Sequence, residues 1–455
     1  MTAIQTLDPR TALLTEAPIT RTLLRLAWPN VLVMVAQAST GLIETWFVSR
    51  LGTDALTGMA LVFPGFMLMQ MLSGGALGGG ISSAIARALG SGRRTDAEAL
   101  VLHSIVVNLA LGVLFGGLVL ATGPALYRLL GGDGGSLAAA LLYSNIVFAG
   151  TPLVWLGNAL ASIVRGTGNM RVPALAVCGG IAMLVPLSPA LIFGLGPFPA
   201  LGIAGGGIAV VATTALTSAG LASYIAAGRC LVRFGWHRPR WRLFADILRV
   251  GAAGAISTFQ TTLTVALTTG LVGVAAGPDA IAGYGTGVRL EYLLVPLVFG
   301  LGAPLVALVG TNMGAGKPAR ALRIALTGGV IAFILAEAIG VAAALWPEAW
   351  LGLFGHDPRM LATGSAYLRA VGPAYGFFGL GLSLYFASQG AGRLFWPLFG
   401  GALRLVIAAG GGWLALKLFG SLAAVFAALS LALFTYGATV ATAVASGVWF
   451  RKPRR

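Results

Sequence analysis

Charge is what this chain has least of. Asp, Glu, Lys and Arg make up 9% of its 455 residues while apolar residues make up 57%, whereas soluble domains carry roughly 25% charge. Together with a mean hydropathy of +0.90, this excludes a soluble globular protein and indicates an all-α integral membrane protein. Cysteine is almost missing. Cys178 lies inside an apolar run and Cys230 beside one, so there is no disulfide framework and both read as packing residues. Histidine is equally scarce: His103, His237 and His356 show no metal-ligand spacing, and no bound metal is expected. No nucleophile elbow, phosphate loop or dinucleotide fingerprint occurs in a supporting context. A membrane-bound acyl or glycosyl transferase would need histidine and acid clustered at one membrane face, which the sequence lacks. The chain is expected not to be an enzyme and to need no cofactor beyond an ion gradient.

What the chain does have is long runs of apolar residues, each sufficient to cross a hydrocarbon core of about 30 Å. In such a run the backbone must satisfy itself, so each is read as a helix. Twelve spans are predicted, at 22–49, 55–86, 97–121, 137–164, 171–194, 201–228, 246–275, 281–311, 320–346, 360–388, 395–417 and 421–449. Several exceed the bilayer, which implies tilt or protrusion.

The first half is written again 224 or 225 positions later. "LGTDAL" (Leu51 to Leu56) returns as "AGPDAI" (Ala276 to Ile281), and "ALGSGRRTDAEAL" (Ala88 to Leu100) as "NMGAGKPARALRI" (Asn312 to Ile324). "RGTGNMRVP" (Arg165 to Pro173) returns as "QGAGRLFWP" (Gln389 to Pro397) with both glycines and the proline in register. Internal repeats of this length are a feature of transporters. Six spans per copy is an even number, so both copies enter the membrane in the same sense. Two six-helix bundles related by a pseudo-twofold along the membrane normal are expected.

Base outnumbers acid, 29 to 13, but its placement argues for topology and against nucleic acid. Arg87, Arg93, Arg94, Arg165, Arg171, the stretch Arg229 to Arg242, Lys317, Arg320, Arg323, Arg393 and the basic carboxy terminus all fall in alternate connections. The intervening connections carry Asp54, Asp133, Asp279, Glu348 and Asp357. By the positive-inside rule both termini face the cytoplasm of a multi-pass plasma-membrane protein, the inner membrane in a bacterium. The segments divide as a tail over 1–21 without a signal-peptide layout, a bundle over 22–228, a basic linker over 229–245, a second bundle over 246–450 and a basic tail over 451–455.

An acid inside the bilayer is costly and calls for a reason. Away from the first residues of a span, where Glu98 and Asp246 fall, only Glu44, Glu291 and Glu337 lie within the predicted spans. Asn30, Gln37 and Glu44 are spaced by seven and share one helix face, with a drift of about 20° per heptad. At an offset of 224, Gln37 and Glu44 map onto Thr261 and Thr268, with Ser257 and Thr264 on the same face. Two polar stripes of this kind are expected to line a central cleft, Glu44 being its titratable group, unless Glu44 is merely hydrated near the outer surface. A carboxylate so placed can hold a proton and give it up when a cationic substrate arrives. Pro29, well ahead of Glu44, either bends the first helix or begins it. Glu291 shares a face with Tyr284 rather than with Arg289, since positions two apart do not meet on a helix; it suits an interhelical bond as well as a transport role. Glu337 has no polar stripe and reads as structural. Tyr375 and Tyr385, with Phe378 and Phe386, offer faces for a lipophilic cation, or pack as ordinary core.

The motifs "LAWPN", "GLIETWFVSRLGTDAL", "RGTGNMRVP", "LIFGLGPFPALGIAG" and "VGTNMGAG" together resemble the multidrug and toxic compound extrusion family over essentially the whole chain. The resemblance implies two six-helix bundles, a central cavity, and export of cationic or amphipathic compounds driven by protons or sodium. The chain departs from the family pattern in three places. Glu44 stands where the family usually has aspartate; Leu184 and Ser188 stand where some prokaryotic members place asparagine and aspartate; and residues 371–388 lack the acid of the NorM-like branch. Sodium needs several oxygen ligands and a proton only one base, so proton coupling and a DinF-like arrangement are expected, with sodium coupling as the alternative. A lipid-linked sugar flippase of the wider superfamily would need a cavity rich in arginine and lysine, for which the spans offer mainly Arg289, Arg369 and Arg404. The expected partners are small-molecule substrates and the bilayer, with the protein a monomer.

Overall fold

The computed structural model describes residues 9–447 and Trp449, and among these there is no strand. After a short helix α1 (Pro9–Glu16) come α2 (Ile19–Ser49), α3 (Thr53–Gly90), α4 (Arg94–Leu129), α5 (Gly134–Ala149), α6 (Thr151–Gly166), α7 (Arg171–Phe193) and α8 (Ile203–Ala226). The second half holds α9 (Trp241–Gly277), α10 (Ala280–Gly314), α11 (Pro318–Leu345), the short α12 (Pro347–Leu351), α13 (Pro358–Ala391), α14 (Phe395–Phe419) and α15 (Leu422–Ala445). Among the described residues, eleven of these are long and apolar enough to cross a membrane alone, and α5 and α6, bent by 46° about Gly150, bring the number to twelve when the pair is counted as one span. The predicted extremes of both tails, 1–8 and 450–455, lie outside the described residues.

The internal repeat is visible in the turns. Gly168 and Gly392 both take a left-handed φ, 81° and 69°, which costs glycine nothing and an L side chain dearly. Their N–H groups donate to the carbonyls of Arg165 and Gln389 at 2.8 and 3.0 Å. Gly92 and Gly316 behave likewise (φ 72° and 67°). After them, Arg93 N–H donates to Ala88 O and Lys317 N–H to Asn312 O at 3.0 and 2.9 Å. The carbonyls left over at the helix ends are thus met the same way in both copies.

By compactness the chain forms two units. One is Trp28–Gly254; the other joins Ala255–Arg455 with Met1–Ala27. These units differ from the 22–228 and 246–450 division in where the linking segments fall. The basic linker belongs with the first unit because its apolar residues are core: Cys230, Val232, Leu243 and Ile247 are buried against α3, α4, α6 and α8. Buried Asp96 gathers Arg93, Arg240 and Arg242 at 3.0, 3.2 and 2.8 Å. His103 is fixed between two backbones, Nδ1 at 2.7 Å from Ala99 O and Nε2 accepting from Arg240 N–H at 2.9 Å. In the other unit, Asn312 Nδ2 donates to Leu14 O at 3.1 Å, Arg320 donates to Ala17 O, and Lys317 lies 3.7 Å from Glu16. The amino-terminal segment expected only as a tail is therefore helical and docked. Pro29 sits well inside α2, so it does not begin the helix, and the chain passes from one unit to the other two residues before it.

Removing the charge of Asp96 should free the linker while leaving the spans intact. In Asp96→Asn, trypsin is expected to cut at Arg229 to Arg242 about tenfold faster than in the native protein, as loss of hydrogen bonds to a charged group predicts. An unchanged cleavage rate would mean that the apolar contacts alone hold the segment.

Candidate functional site

Glu44 occupies the interior of the first unit, 6% exposed. It projects from α2 towards α7, where Ser188 lies between two helix-interrupting prolines, Pro186 and Pro189. Ser188 Oγ donates to Glu44 Oε2 at 3.0 Å. A methyl group built at Gly206 of α8 would lie 3.8 Å from the same oxygen, 3.6 Å from Ile192 and 3.9 Å from the Tyr143 ring. The surroundings are thus apolar on the α8 side. The other oxygen, Oε1, is sealed from solvent and has no hydrogen-bond partner, and no arginine or lysine pairs with Glu44 among the described residues. An ionised carboxylate in such a place is uncompensated, so it needs a proton or a cation as companion. The reading of Glu44 as a hydrated surface acid does not hold.

Among the side-chain hydrogen bonds of the described residues, Glu44 has the Ser188 hydroxyl as its partner.

The stripe of which Glu44 is part divides by depth. Asn30, Thr40 and Glu44 are buried while Gln37 is exposed; at the matching positions Thr264 and Thr268 are buried and Thr261 is exposed. The second stripe is largely spent on its own helix. Thr261, Thr264 and Thr268 donate to the carbonyls of Ser257, Gln260 and Thr264 at 3.0, 2.8 and 2.9 Å, a common way for hydroxyls to be satisfied inside a helix. Thr268, which stands where Glu44 does, also meets Tyr284 OH at 2.8 Å.

The second unit gathers a different polar cluster. Glu291 Oε1 accepts from Arg404 Nη2 at 2.7 Å, and Oε2 accepts from Tyr367 OH at 3.2 Å. Arg404, 8% exposed, lies over the Phe378 ring at 5.0 Å. Tyr284, Tyr367 and Phe426 form an edge-and-stack box with centroids 5.2 to 6.2 Å apart, and fully buried Tyr375 is within electrostatic reach of Glu291. Thr268, Tyr284, Glu291 and Tyr375 therefore come together, but around an ion pair rather than around a free acid. Tyr385 stands apart, edge-on to Phe386. Arg289 turns to the Phe354 ring at 5.5 Å. Glu337 accepts the Gly376 N–H at 2.8 Å, a donor released where the turn through Pro373 interrupts α13, in keeping with a structural role.

Two interior polar residues were not singled out from the sequence. Arg404 counted only as one of a few basic residues in spans; its burial in a run with no acid of its own was the available signal. Asn158 was missed too: its Nδ2 donates to Gln70 Oε1 and Ser73 Oγ at 3.1 and 2.8 Å. Both clusters adjoin π-helical turns, Met71–Leu77 and Val406–Gly411, which often accompany functional sites.

Breaking the ion pair from one side strands a buried charge. Arg404→Leu is expected to cost about 3–5 kcal/mol, and the Glu291→Gln/Arg404→Leu double variant to recover most of that loss, both read by thermal unfolding in detergent. Equal stability of the single and double variants would show that the pair carries no such burden.

The family model described as MatE matches residues 29–190 and again 254–414, the same two stretches that the internal repeat relates. The chain is 29% identical to a protein of Shewanella oneidensis named FAD transporter, over 82% of each chain. It is 25% identical to the probable multidrug resistance protein NorM of Thermotoga maritima, over 84% of this chain and 82% of that one. In fold it is similar to a MOP superfamily transporter from Pyrococcus furiosus, with a TM-score of 0.89 at 22% identity, covering 98% of this chain and 100% of the other.

Proposed function

We propose that this chain, which belongs to the MatE family, exports cationic or amphipathic small molecules across the bacterial inner membrane in exchange for protons carried by Glu44. As a family member it is a multidrug-efflux-type membrane transporter; the exchange with protons and the residue that carries them are the reading added here. The observation that supports it is the buried carboxylate with one oxygen held by Ser188 and the other unmet. In that setting a neutral acid is tolerated and a bare anion is not. Opening the site to one side of the membrane lets water and substrate reach the acid. A cationic substrate favours the ionised form and expels the proton; a new proton from the other side releases the substrate. Neither state leaves a lone charge in the apolar interior, which ties movement of one charge to movement of the other. Pro29 lacks the N–H that would close a helical bond, so α2 can bend close to where it passes between the two units. Both termini then lie on the cytoplasmic side, an orientation that the arginine-rich connections favour.

In proteoliposomes with an imposed pH gradient, Glu44→Gln is expected to export at the background rate of empty vesicles while folding normally. Undiminished proton-driven export by that variant would remove Glu44 from the mechanism, and export driven by a sodium gradient alone would overturn the choice of ion.

A second reading concerns the passenger. The relative named FAD transporter and the arginine set among aromatic rings in the second unit both favour a substrate that combines an aromatic system with a phosphate. On this reading the Glu291→Gln/Arg404→Leu double variant, which strands no charge, abolishes uptake of FAD into inverted vesicles while uptake of a lipophilic cation such as ethidium persists; equal loss of both would count against it.

A further inference from the structure

Every acid on the arginine-rich side of the first unit already has a partner. Asp246 accepts from Arg87 at 2.7 Å, Glu98 from Arg94 at 3.4 Å, and Asp96 from Arg93, Arg240 and Arg242. Asp54 and Asp133 lie at the opposite helix ends, in the first turn of α3 and at the cap before α5, and Glu44 lies in the interior. No carboxylate is left for Arg165, in the last turn of α6. Its Nε is sealed from solvent and bonds nothing, and it forms no ion pair among the described residues.

The base of this side chain is held firmly. Ile163 and Val164 are core, packed with Cys230, Val232 and Leu243. Gly166 sits so close to α3 that a Cβ there would come within 2.9 Å of Ser82 O and 3.0 Å of Ile85 Cβ. One turn earlier, Ser162 Oγ is also sealed and unpartnered, in a space kept open by Gly78, where a Cβ would come within 2.6 Å of it. Successive turns of one helix thus carry two unmet buried polar atoms, Ser162 Oγ and Arg165 Nε, the second belonging to the guanidinium of a half-buried residue. Unmet buried donors in native structures ask for a missing partner, and a guanidinium asks for an anion.

We propose that Arg165 is the anchor of a phosphate-binding site on the arginine-rich face of the first unit. A guanidinium matches phosphate geometry through paired N–H donors. Basic pockets among transmembrane helices near this depth hold phospholipid headgroups, and a soluble phosphate presents the same oxygens. The neighbouring helix end does not compete for the anion, because Asn169 Oδ1 already accepts the N–H groups of Arg171 and Val172 at 3.1 and 3.2 Å. The second copy has no such site: the matching residue is Gln389, neutral and fully buried.

Binding can be read without substrate or gradient, so its outcome is independent of coupling at Glu44. The native protein, Arg165→Gln (the residue the second copy uses there), Arg165→Lys and Arg171→Gln (an exposed arginine as control) are placed in phosphatidylcholine nanodiscs with and without phosphatidylglycerol. Thermal midpoints are taken with and without millimolar inorganic phosphate, and retained lipid is counted by native mass spectrometry. The native protein and Arg171→Gln are expected to be stabilised by one of the two probes. Arg165→Gln should need about tenfold more of that probe, the usual effect of losing a charge-assisted bond, and Arg165→Lys should fall between. A shift with phosphatidylglycerol alone identifies the source as lipid, and a shift with inorganic phosphate as a soluble anion. Failure of the native protein to respond to either probe, or an equal response from a folded Arg165→Gln, overturns the proposal; if Arg165→Gln does not fold, Arg165→Lys and the native response decide it.

Discussion

The cost of an uncompensated charge away from water governs this molecule. It explains why the spans are so poor in ionisable residues, and why buried acids among the described residues are met by something. Glu337 takes a backbone N–H, Glu291 takes an arginine and a tyrosine, and Asp96 takes three arginines. Glu44 is the acid that the protein leaves half met, with a single serine hydroxyl. A carboxylate short of partners is poor structural cement, because removing charge from water is repaid only by full compensation. The proposed exchange of protons rests on that deficit.

Duplication and divergence account for the contrast between the units. Both copies use the same glycine-bearing turns and bury the same positions along their first long helix, Thr40 with Thr264 and Glu44 with Thr268. Yet where one copy has an acid the other has a threonine bonded to Tyr284, and where one has Arg165 the other has Gln389. The second copy has instead built its charges into a closed pair between α10 and α14. One scaffold thus carries a half-bonded carboxylate in one unit and a satisfied ion pair in the other.

Much of this was legible in advance because the bilayer leaves few options. A run of apolar residues long enough to span must be a helix, so twelve spans, the repeat and its turns could be read from residue types alone. Glu44 was legible as well, since an acid in a polar stripe stands out against an apolar background. The partners of Glu291 and Glu337 were not. Arg404 lies 113 residues from Glu291 and Gly376 lies 39 from Glu337, and helical periodicity says nothing about which helix faces which. The apolar residues of the linker were overshadowed by its arginines, although Cys230, Val232 and Leu243 are what seat it against the first unit.

The sequence by itself determined the solvent, the secondary structure and the twofold plan, because hydrophobicity and chain length set these locally and the repeat is written in the residues. Only the tertiary structure decided which charges are satisfied. That depends on distances of a few ångströms between side chains far apart in the chain, and at those distances a carboxylate becomes either an inert half of an ion pair, as Glu291 does, or an acid with one oxygen still unmet, as Glu44 does.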